Sequence, residues 1–376
     1  MEINEYSGSG VSAEPRICMF SQRNLGKIVS RCGHYEFEDV ICQVDDVDLI
    51  APQPYRLFPL GLKFANRLAR YSPIAGFNPG VKSLRLKNNY ELFVAIFQFP
   101  RDTLTLNAVE GWKDHCRKSL CWVDDLWVSD LPHLKSHLKI LSKFDYVLLN
   151  CSGSVRPVQD LIHRPCFCIV PAVDMFHFCP YPNPPVRCID VYSMGRRSDV
   201  THRSLLKMAE RGEIFYIYDT SERMQTQHPR EHRSLIASIA KRSRYFVANT
   251  AKINYPSETH GQVEVGFRFF EGAGAGTVMI GETPENEVFH KNFDWSDAVI
   301  HVPYGAENIG EILAELDSQP KRLDAARKNN VLQSLLRHDW VYRWRDILNI
   351  AGLEPKPALL ARENRLKELV KLVKET

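Results

Sequence analysis

The sequence predicts an α/β protein made of two doubly wound, parallel-sheet domains that face each other across a cleft. Three observations lead there. Strand-like runs alternate with helical periods of about 10–15 residues, the pattern of a parallel sheet with crossover helices. The alternation stops at a Pro-rich stretch beginning near Val170 and restarts at Ile189. A chain of 376 residues also exceeds one ordinary domain, so two cores are expected.

In the first half, strands are expected at 16–21, 47–51, 90–99, 119–123, 146–151 and 166–171, each a short apolar run. The helices between them are 25–44 (interrupted around Gly33-His34), 55–71, 105–116, 131–144 and 155–163. The helix at 55–71 carries Leu57, Leu60, Phe64 and Leu68 at helical spacing. The second half repeats the scheme. Strands are expected at 189–194, 214–218, 245–248, 278–281 and 298–302, and helices at 202–211, 231–241, 269–275, 308–316 and 323–335. A further helix starts after His338-Asp339. Trp340 and Trp344 lie four apart on one of its faces and read as core anchors against the bridge. The tail 358–376 reads as an exposed amphipathic helix with Lys367, Lys371 and Lys374, either solvated or facing a membrane surface or a protein partner. The expected divisions are a flexible start at 1–14, domains at 15–172 and 173–345, and C-terminal helices at 346–376.

Composition narrows the function. Apolar residues make up 44% and charged residues 25%, as in globular proteins. A net charge of +3 is too weak to argue for nucleic acid. None of the ten cysteines forms a Cys-x-x-Cys pair, and Cys166 and Cys168 share one side of a strand, so most of the ten read as small buried hydrophobes in a reducing compartment and not as a zinc site. The start lacks the basic and apolar regions of a signal peptide, and no run approaches about 18 apolar residues. A cytoplasmic protein is expected.

The densest cluster of candidate residues is 264–281. Small residues at 272–276 let a helix pack tightly on the following strand. Gly266 and Phe267 open that helix, whose free N–H groups suit an anion. Arg268 can meet a phosphate bidentately, and Glu271 can accept ribose hydroxyls. The same pattern also fits a plain helix–sheet contact with two surface carboxylates, Glu264 and Glu271. Gly195-Arg196-Arg197 ends the first strand of the second half. Tyr218-Asp219-Thr220 and Ala248-Asn249-Thr250 end the next strands, with Lys252 just beyond. Strand ends of this kind face the ligand in doubly wound sheets. In the first half, 21–27 has neither G-x-G-x-x-G nor Walker spacing, so ATP and dinucleotides are not indicated. His34 is either a general base or a helix cap. Asp124 and Asp125 end a strand, where Asp125 either orients an acceptor hydroxyl or caps the segment from Leu126. Asp46-Val47-Asp48 has the form of a metal-binding D-x-D but begins a buried strand, so no metal is expected.

Two of these segments resemble the retaining group-1 glycosyltransferases. Val173, Asp174, Phe178 and Pro180 match that family's interdomain run V-D-x-x-x-F-x-P, ahead of a strand ending in Gly-Arg. Glu271, Gly276 and Val278 fit its paired-glutamate motif, E-x-x-G-x-x-x-x-E-A-x-A-x-G-x-P-V. Glu264 stands one residue closer to Glu271 than that motif has it, and Arg268 before Phe-Phe-Glu resembles the CgeB-like branch. The resemblance spans about 170–345; the first half agrees in architecture only. It implies the GT-B arrangement of two Rossmann-like domains, with the donor on 195–281 and the acceptor against 21–36 and 122–126. It places Glu271 on the donor ribose and Glu264 near the sugar. The donor set is then Gly195, Tyr218, Asp219, Thr220, Asn249, Lys252, Gly266, Phe267 and Glu271, and the candidate catalytic set is Arg196, Arg197, Glu264, Arg268, His34 and Asp125.

A departing nucleoside diphosphate concentrates negative charge, which guanidinium groups must stabilise where no metal does. The family's Lys is replaced here by Thr201 and His202, leaving Arg197 or Lys252 as substitutes. The implied function is a metal-independent hexosyltransferase. It would move a sugar from a nucleotide-sugar donor to a hydroxyl of a saccharide, lipid-linked or small-molecule acceptor, with retention and without a cofactor. Retaining transfer needs no strong base, in keeping with the lack of an obvious Asp/His pair. The alternatives are a non-catalytic nucleotide-sugar-binding module, a nucleotide-sugar epimerase on the same scaffold, and a structural protein using its basic C-terminal helix.

Overall fold

The computed structural model describes residues 14–71, 76–220 and 224–376. Of the flexible start expected at 1–14, residues 1–13 lie outside the described residues. The first sheet contains β1 (Ile17–Phe20), β2 (Val47–Ile50), β3 (Tyr90–Phe97), β4 (Cys116–Val123), β5 (Tyr146–Leu149) and β6 (Cys166–Cys168), all parallel, in the order β2-β1-β3-β4-β5-β6. The second contains β7 (Ile189–Ser193), β8 (Tyr216–Tyr218), β9 (Ser243–Val247), β10 (Val278–Gly281) and β11 (Ile300–His301), in the order β8-β7-β9-β10-β11. Both sheets reverse their winding at the first strand. Each therefore has a crevice at the carboxyl ends of its first and third strands, where doubly wound sheets bind ligands.

Helices α1 (Cys32–Val44), α2 (Phe58–Tyr71), α3 (Lys135–Leu141) and α4 (Val155–Ile162) flank the first sheet, and α5 (Met175–Phe178) lies in the bridge. The second lobe carries α6 (Asp199–Glu210), α7 (Pro229–Lys241), α8 (Pro256–Thr259), α9 (Phe267–Gly274), α10 (Glu287–Asn292), α11 (Ile309–Asp317) and α12 (Pro320–Arg337). The chain ends in α13 (Trp340–Ala351) and α14 (Pro357–Glu375). Side chains alternate along the strands, as two-sided burial requires. Ile17 and Met19 enter a core shared by both lobes, while Cys18 and Phe20 enter one private to the first. Val191, Tyr245, Val278 and Ile280 fill a third core on the outer face of the second sheet.

The shared core forms where α7 packs on α1 and where α13 and α14 cross back onto α1. Residues 338–340 run beside the bridge: Val173 N–H donates to the His338 carbonyl (3.0 Å), and Trp340 N–H donates to the Val173 carbonyl (3.3 Å). Trp340 packs edge-on against Phe37 and Trp122, and Trp344 Nε1 donates to Asp45 (2.9 Å). Asp339, fully buried, caps α13 by accepting from Val341 N–H, and also accepts from Met175 N–H and Arg362. Arg362 spans Asp339 (2.7 Å) and Asp174 (2.6 Å).

Three expectations differ from the structure. The tail helix is not an exposed amphipathic surface. Leu359, Leu366, Val370 and Val373 form one stripe that packs on α12 and α1, while Lys367, Lys371 and Lys374 stay in solvent. The helix expected at 105–116 is a 3₁₀ run over Pro100–Ala108, followed by a short strand and another 3₁₀ turn. Thr103 and Thr105 hydroxyls donate back to the Pro100 and Asp102 carbonyls, and Asp102 accepts from Phe99 N–H, offering the backbone a tighter local pairing than an α-helix. The helix expected at 131–144 breaks into Val128–His133 (3₁₀) and α3 around Pro132.

Arg362→Met leaves the buried carboxylates of Asp174 and Asp339 without the guanidinium they share. Its unfolding free energy, from denaturant titration, is expected to fall by about 3–5 kcal/mol. Lys371→Gln, exposed on the same helix, should change it by no more than about 0.5 kcal/mol.

Candidate functional site

The site lies where the carboxyl ends of β7 and β9 meet the first lobe. After β7 the backbone turns through Gly195, whose φ of +83° suits glycine. Asp219, just beyond β8, fixes this turn by accepting from Gly195 N–H (3.0 Å) and pairing with Arg197 (2.8 Å). Arg197 lies over the Tyr218 ring, and the exposed Arg196 lies over Tyr255. Thr220 is exposed beside them. After β9, Asn249 Oδ1 accepts from Glu282 N–H (2.9 Å), and Lys252 reaches across the cleft to Asp125 (3.5 Å) and the Trp127 face. Gly266 starts α9 without a side-chain cap. Arg268, on its first turn, lies beside Gly195: a Cβ there would sit 4.0 Å from its Nη2. Four cations thus stand around the strand ends of the second lobe: Arg268 beside Gly195, Arg196 over Tyr255, Arg197 tied to Asp219, and Lys252 directed across the cleft to Asp125.

Thr201 and His202 do other work. The Thr201 hydroxyl donates to the Tyr304 carbonyl and accepts from Ala306 N–H, and His202 pairs with the Tyr216 hydroxyl. Ser193, Arg197, His202, Asn249, Gly281 and Tyr304 line a cavity of only 20 Å³, room for about one water. A wider opening of 450 Å³ lies where 128–132 of the first lobe faces 259–262 of the second.

Glu271 is 2% exposed, and both its oxygens are engaged, one by Arg233 and the other by Arg268. Burial pushes its carboxyl up, but the two guanidiniums outweigh that and hold it below its ordinary value. Arg233 continues into the first lobe, gripping both oxygens of Glu36 at 3.0 Å. Glu36 also accepts from Asp174 N–H and Trp340 Nε1. One buried chain, Glu36–Arg233–Glu271–Arg268, therefore runs from the first lobe to the crevice. A ribose hydroxyl approaching Glu271 would have to displace one guanidinium.

Glu264 is also buried. It accepts from Ser152 N–H (2.7 Å) and hydroxyl (2.8 Å), Gly153 N–H (2.8 Å) and Gln262 Nε2 (2.7 Å), so it joins the two lobes with both oxygens saturated. On the opposite side, Arg230 pairs with Asp39, and Val29 N–H donates to the Met224 carbonyl. Contacts thus span the cleft at both edges.

On the first lobe, His34 sits in the first turn of α1, buried between Trp122 and Phe267. Its neighbour Gly33 must lack a side chain, because a Cβ would lie 2.4 Å from the Phe267 ring. His34 Nε2 is 3.4 Å from Asp124, which Asn150 hydrogen-bonds. Among the described residues, His34 Nδ1 and Nε2, Asp124 Oδ1 and Asn150 Oδ1 are buried without hydrogen-bond partners. Burial, with Arg31 and Arg233, lowers His34 to about 3; burial, with Asp125, raises Asp124 to about 8. Both therefore favour their neutral forms near pH 7. Asp125 itself accepts from Trp127 Nε1.

Asp46 pairs with Lys356 (2.7 Å), and Asp48 accepts from the Tyr90 hydroxyl. Among the described residues, no group of three or more His, Cys, Asp or Glu side chains is placed to hold a metal ion. All ten cysteines are free thiols.

Sequence reasoning missed Arg233 and Asn150, and it gave Glu36 and Asp124 no individual role within the stretches 21–36 and 122–126. A signal existed for Arg233: it shares a helical face with Ile236, Ala237 and Ala240, so an arginine there had to be buried and paired.

Residues 201–349 match the model of the family described as glycosyl transferase-like. No curated protein matches the chain in sequence. Among solved structures, it is similar to an alpha-glucosyltransferase in complex with UDP-glucose and DNA containing an abasic site (TM-score 0.52, 12% identity, 89% of this chain and 98% of that one). It is also similar to an alpha-glucosyltransferase in complex with UDP and a 13-mer DNA containing a central A:G mismatch (TM-score 0.53, 12% identity, 90% and 99%). A glycosyltransferase from Rickettsia africae ESF-5 aligns over 89% of this chain and 97% of that one, with 12% identity and a TM-score of 0.48. The fold is that of the GT-B glycosyltransferases. Its second lobe carries the glycosyl transferase-like domain.

The neutral pair at His34 and Asp124 sets a pH dependence. Asp124 binds its proton more tightly in the folded chain, so between its ordinary value of 3.8 and about 8 rising pH destabilises. His34 refuses a proton that the unfolded chain accepts, so between about 3 and 6.5 rising pH stabilises. The two oppose below pH 6.5. Above it Asp124 acts alone, by at most about 1.4 kcal/mol per pH unit. Asp124→Asn is therefore expected to flatten the decline of Tm between pH 6.5 and 8. An unchanged slope would mean that Asp124 is ionised in the folded chain.

Proposed function

We propose that this chain is a glycosyltransferase that moves a sugar from a nucleoside-diphosphate sugar to an acceptor hydroxyl, without a metal and with retention of anomeric configuration. The observation that carries this reading is the placement of Arg196, Arg197, Lys252 and Arg268 around the strand ends of the second lobe, with Arg268 beside the Gly195 turn. The bond between the sugar C1 and the diphosphate oxygen breaks, and its electron pair adds a third negative charge to the two the diphosphate already carries. Guanidiniums already held in place by Asp219 and Glu271 stabilise that charge with little reorganisation. The acceptor oxygen bonds to C1, and its proton passes to the departing diphosphate. Glu271 acts mainly as a positioning residue that holds Arg268 toward Gly195. The unpartnered polar atoms of His34, Asp124 and Asn150 supply hydrogen bonds to hydroxyls entering from the first lobe. The two solved neighbours bound to UDP-glucose and UDP support this donor class.

One observation favours a second reading, inversion with His34 as general base: its 3.4 Å approach to Asp124. An Asp that stays protonated up to about pH 8 is a poor stabiliser of an imidazolium, which weighs toward retention.

Calorimetric screening with UDP-, GDP- and ADP-sugars, followed by NMR of the product anomer, tests both readings. Retention and activity unchanged by EDTA are expected. An inverted product, or a strict Mn²⁺ requirement, would contradict the proposal. Arg268→Ala is expected to lower kcat about 10²-fold; an unchanged kcat would remove Arg268 from the site.

A further inference from the structure

We propose that α2 docks the first lobe on an anionic lipid bilayer. The motivating observation is an apolar face turned to solvent. Leu57, Leu60 and Phe64 are 67%, 63% and 60% exposed, and Tyr55, Tyr71 and Phe77 extend the same patch. Phe64 and Phe77 pack edge-on at 5.9 Å, joining helix and following loop. The helix is firmly seated, so this is not a loose segment. Phe58, Ala65 and Ala69 are buried beneath it, and Gly61 packs so closely on the Pro79 carbonyl that a Cβ would lie 2.3 Å from that oxygen.

At 100° per residue the helix has three stripes. Phe58, Leu62, Ala65 and Ala69 face the lobe. Leu57, Leu60, Phe64 and Tyr71 face solvent. Arg56, Lys63, Arg67 and Arg70 form the third stripe, beside the exposed apolar one. Phe58–Tyr71 contains no acidic residue; among the described residues Arg56, Lys63 and Arg67 make no ion pair, and Arg70 lies within electrostatic reach of Asp130. Charge alone would suit any polyanion. The adjoining apolar stripe selects a surface with an apolar interior: leucine and phenylalanine insert below the headgroups while the basic stripe meets them. A nucleic acid has no use for the apolar stripe, and a second copy of the chain would bring the same four cations against themselves. This surface is distinct from the C-terminal helix, whose apolar stripe is already covered. It is also independent of the sugar-transfer reading.

Co-sedimentation of the full chain with vesicles tests it. Binding to vesicles with about one-third phosphatidylglycerol, weak binding to pure phosphatidylcholine, and release on raising NaCl from about 0.1 to 0.5 M are expected. Leu60→Ser with Phe64→Ser, and separately Lys63→Gln with Arg67→Gln, should each weaken partitioning about tenfold or more. All four side chains are exposed, so Tm should be unchanged, and the charge pair stands as the second test if the apolar pair melts early. Lys371→Gln with Lys374→Gln should bind as the unaltered chain does. Equal binding to both vesicle types would overturn the proposal. So would loss of binding only in the C-terminal pair, tighter binding to a duplex DNA than to vesicles, or a dimer in solution that Leu60→Ser with Phe64→Ser dissolves.

Discussion

The structure depends on where the Arg233 guanidinium sits. It lies between Glu36 of the first lobe and Glu271 of the second, out of water, with carboxylates on two sides. A charge so placed is costly unless fully paired, and here each partner is itself tied to other elements. Glu36 holds the bridge through Asp174 N–H and the crossing helix through Trp340. Glu271 holds Arg268. Moving one lobe without the other would strand a buried charge, so the same contacts that join the lobes set the position of a crevice cation. Asp174, Asp339 and Arg362 repeat the device a short distance away, where the last helices return to the bridge.

Function follows from what that arrangement leaves unsatisfied. Along the second lobe's strand ends, cations outnumber the carboxylates available to them. Arg196 is exposed, Lys252 has only a long contact to Asp125, and Arg268 is partly open. Across the cleft, the unpartnered atoms are neutral hydrogen-bonding groups at the ends of β4 and β5. One side suits concentrated negative charge, and the other suits hydroxyls. The proposed nucleoside-diphosphate sugar, facing an acceptor hydroxyl, has that polarity.

The architecture was legible because it rests on periodicities that operate within ten or twenty residues. Both sheets, the restart after the bridge and the anchoring role of Trp340 and Trp344 all followed from apolar spacing. What failed locally failed for local reasons: threonine hydroxyls and an aspartate redirected 100–108 into a 3₁₀ run. The site was only half legible. Residues at strand ends, such as Gly195, Asp219 and Asn249, fall where a doubly wound fold puts them. Glu36 and Arg233 are 197 positions apart in sequence, and the approach of His34 to Asp124 exists only after the sheet forms. For Glu264, the motif gave a place near the sugar, whereas its carboxylate is saturated by Ser152, Gly153 and Gln262. The tail helix was read as exposed because its lysines are conspicuous, although its apolar stripe is the part that packs.

The central claim is that Glu271 serves the donor crevice through Arg268. A double-mutant cycle on nucleoside-diphosphate affinity tests it, using whichever of UDP, GDP and ADP binds best by calorimetry. Glu271→Gln is expected to weaken binding when Arg268 is present and to add little, within about 0.5 kcal/mol, once Arg268→Ala has been made. An equal loss in both backgrounds would mean that Glu271 meets the nucleotide itself, and would contradict the account.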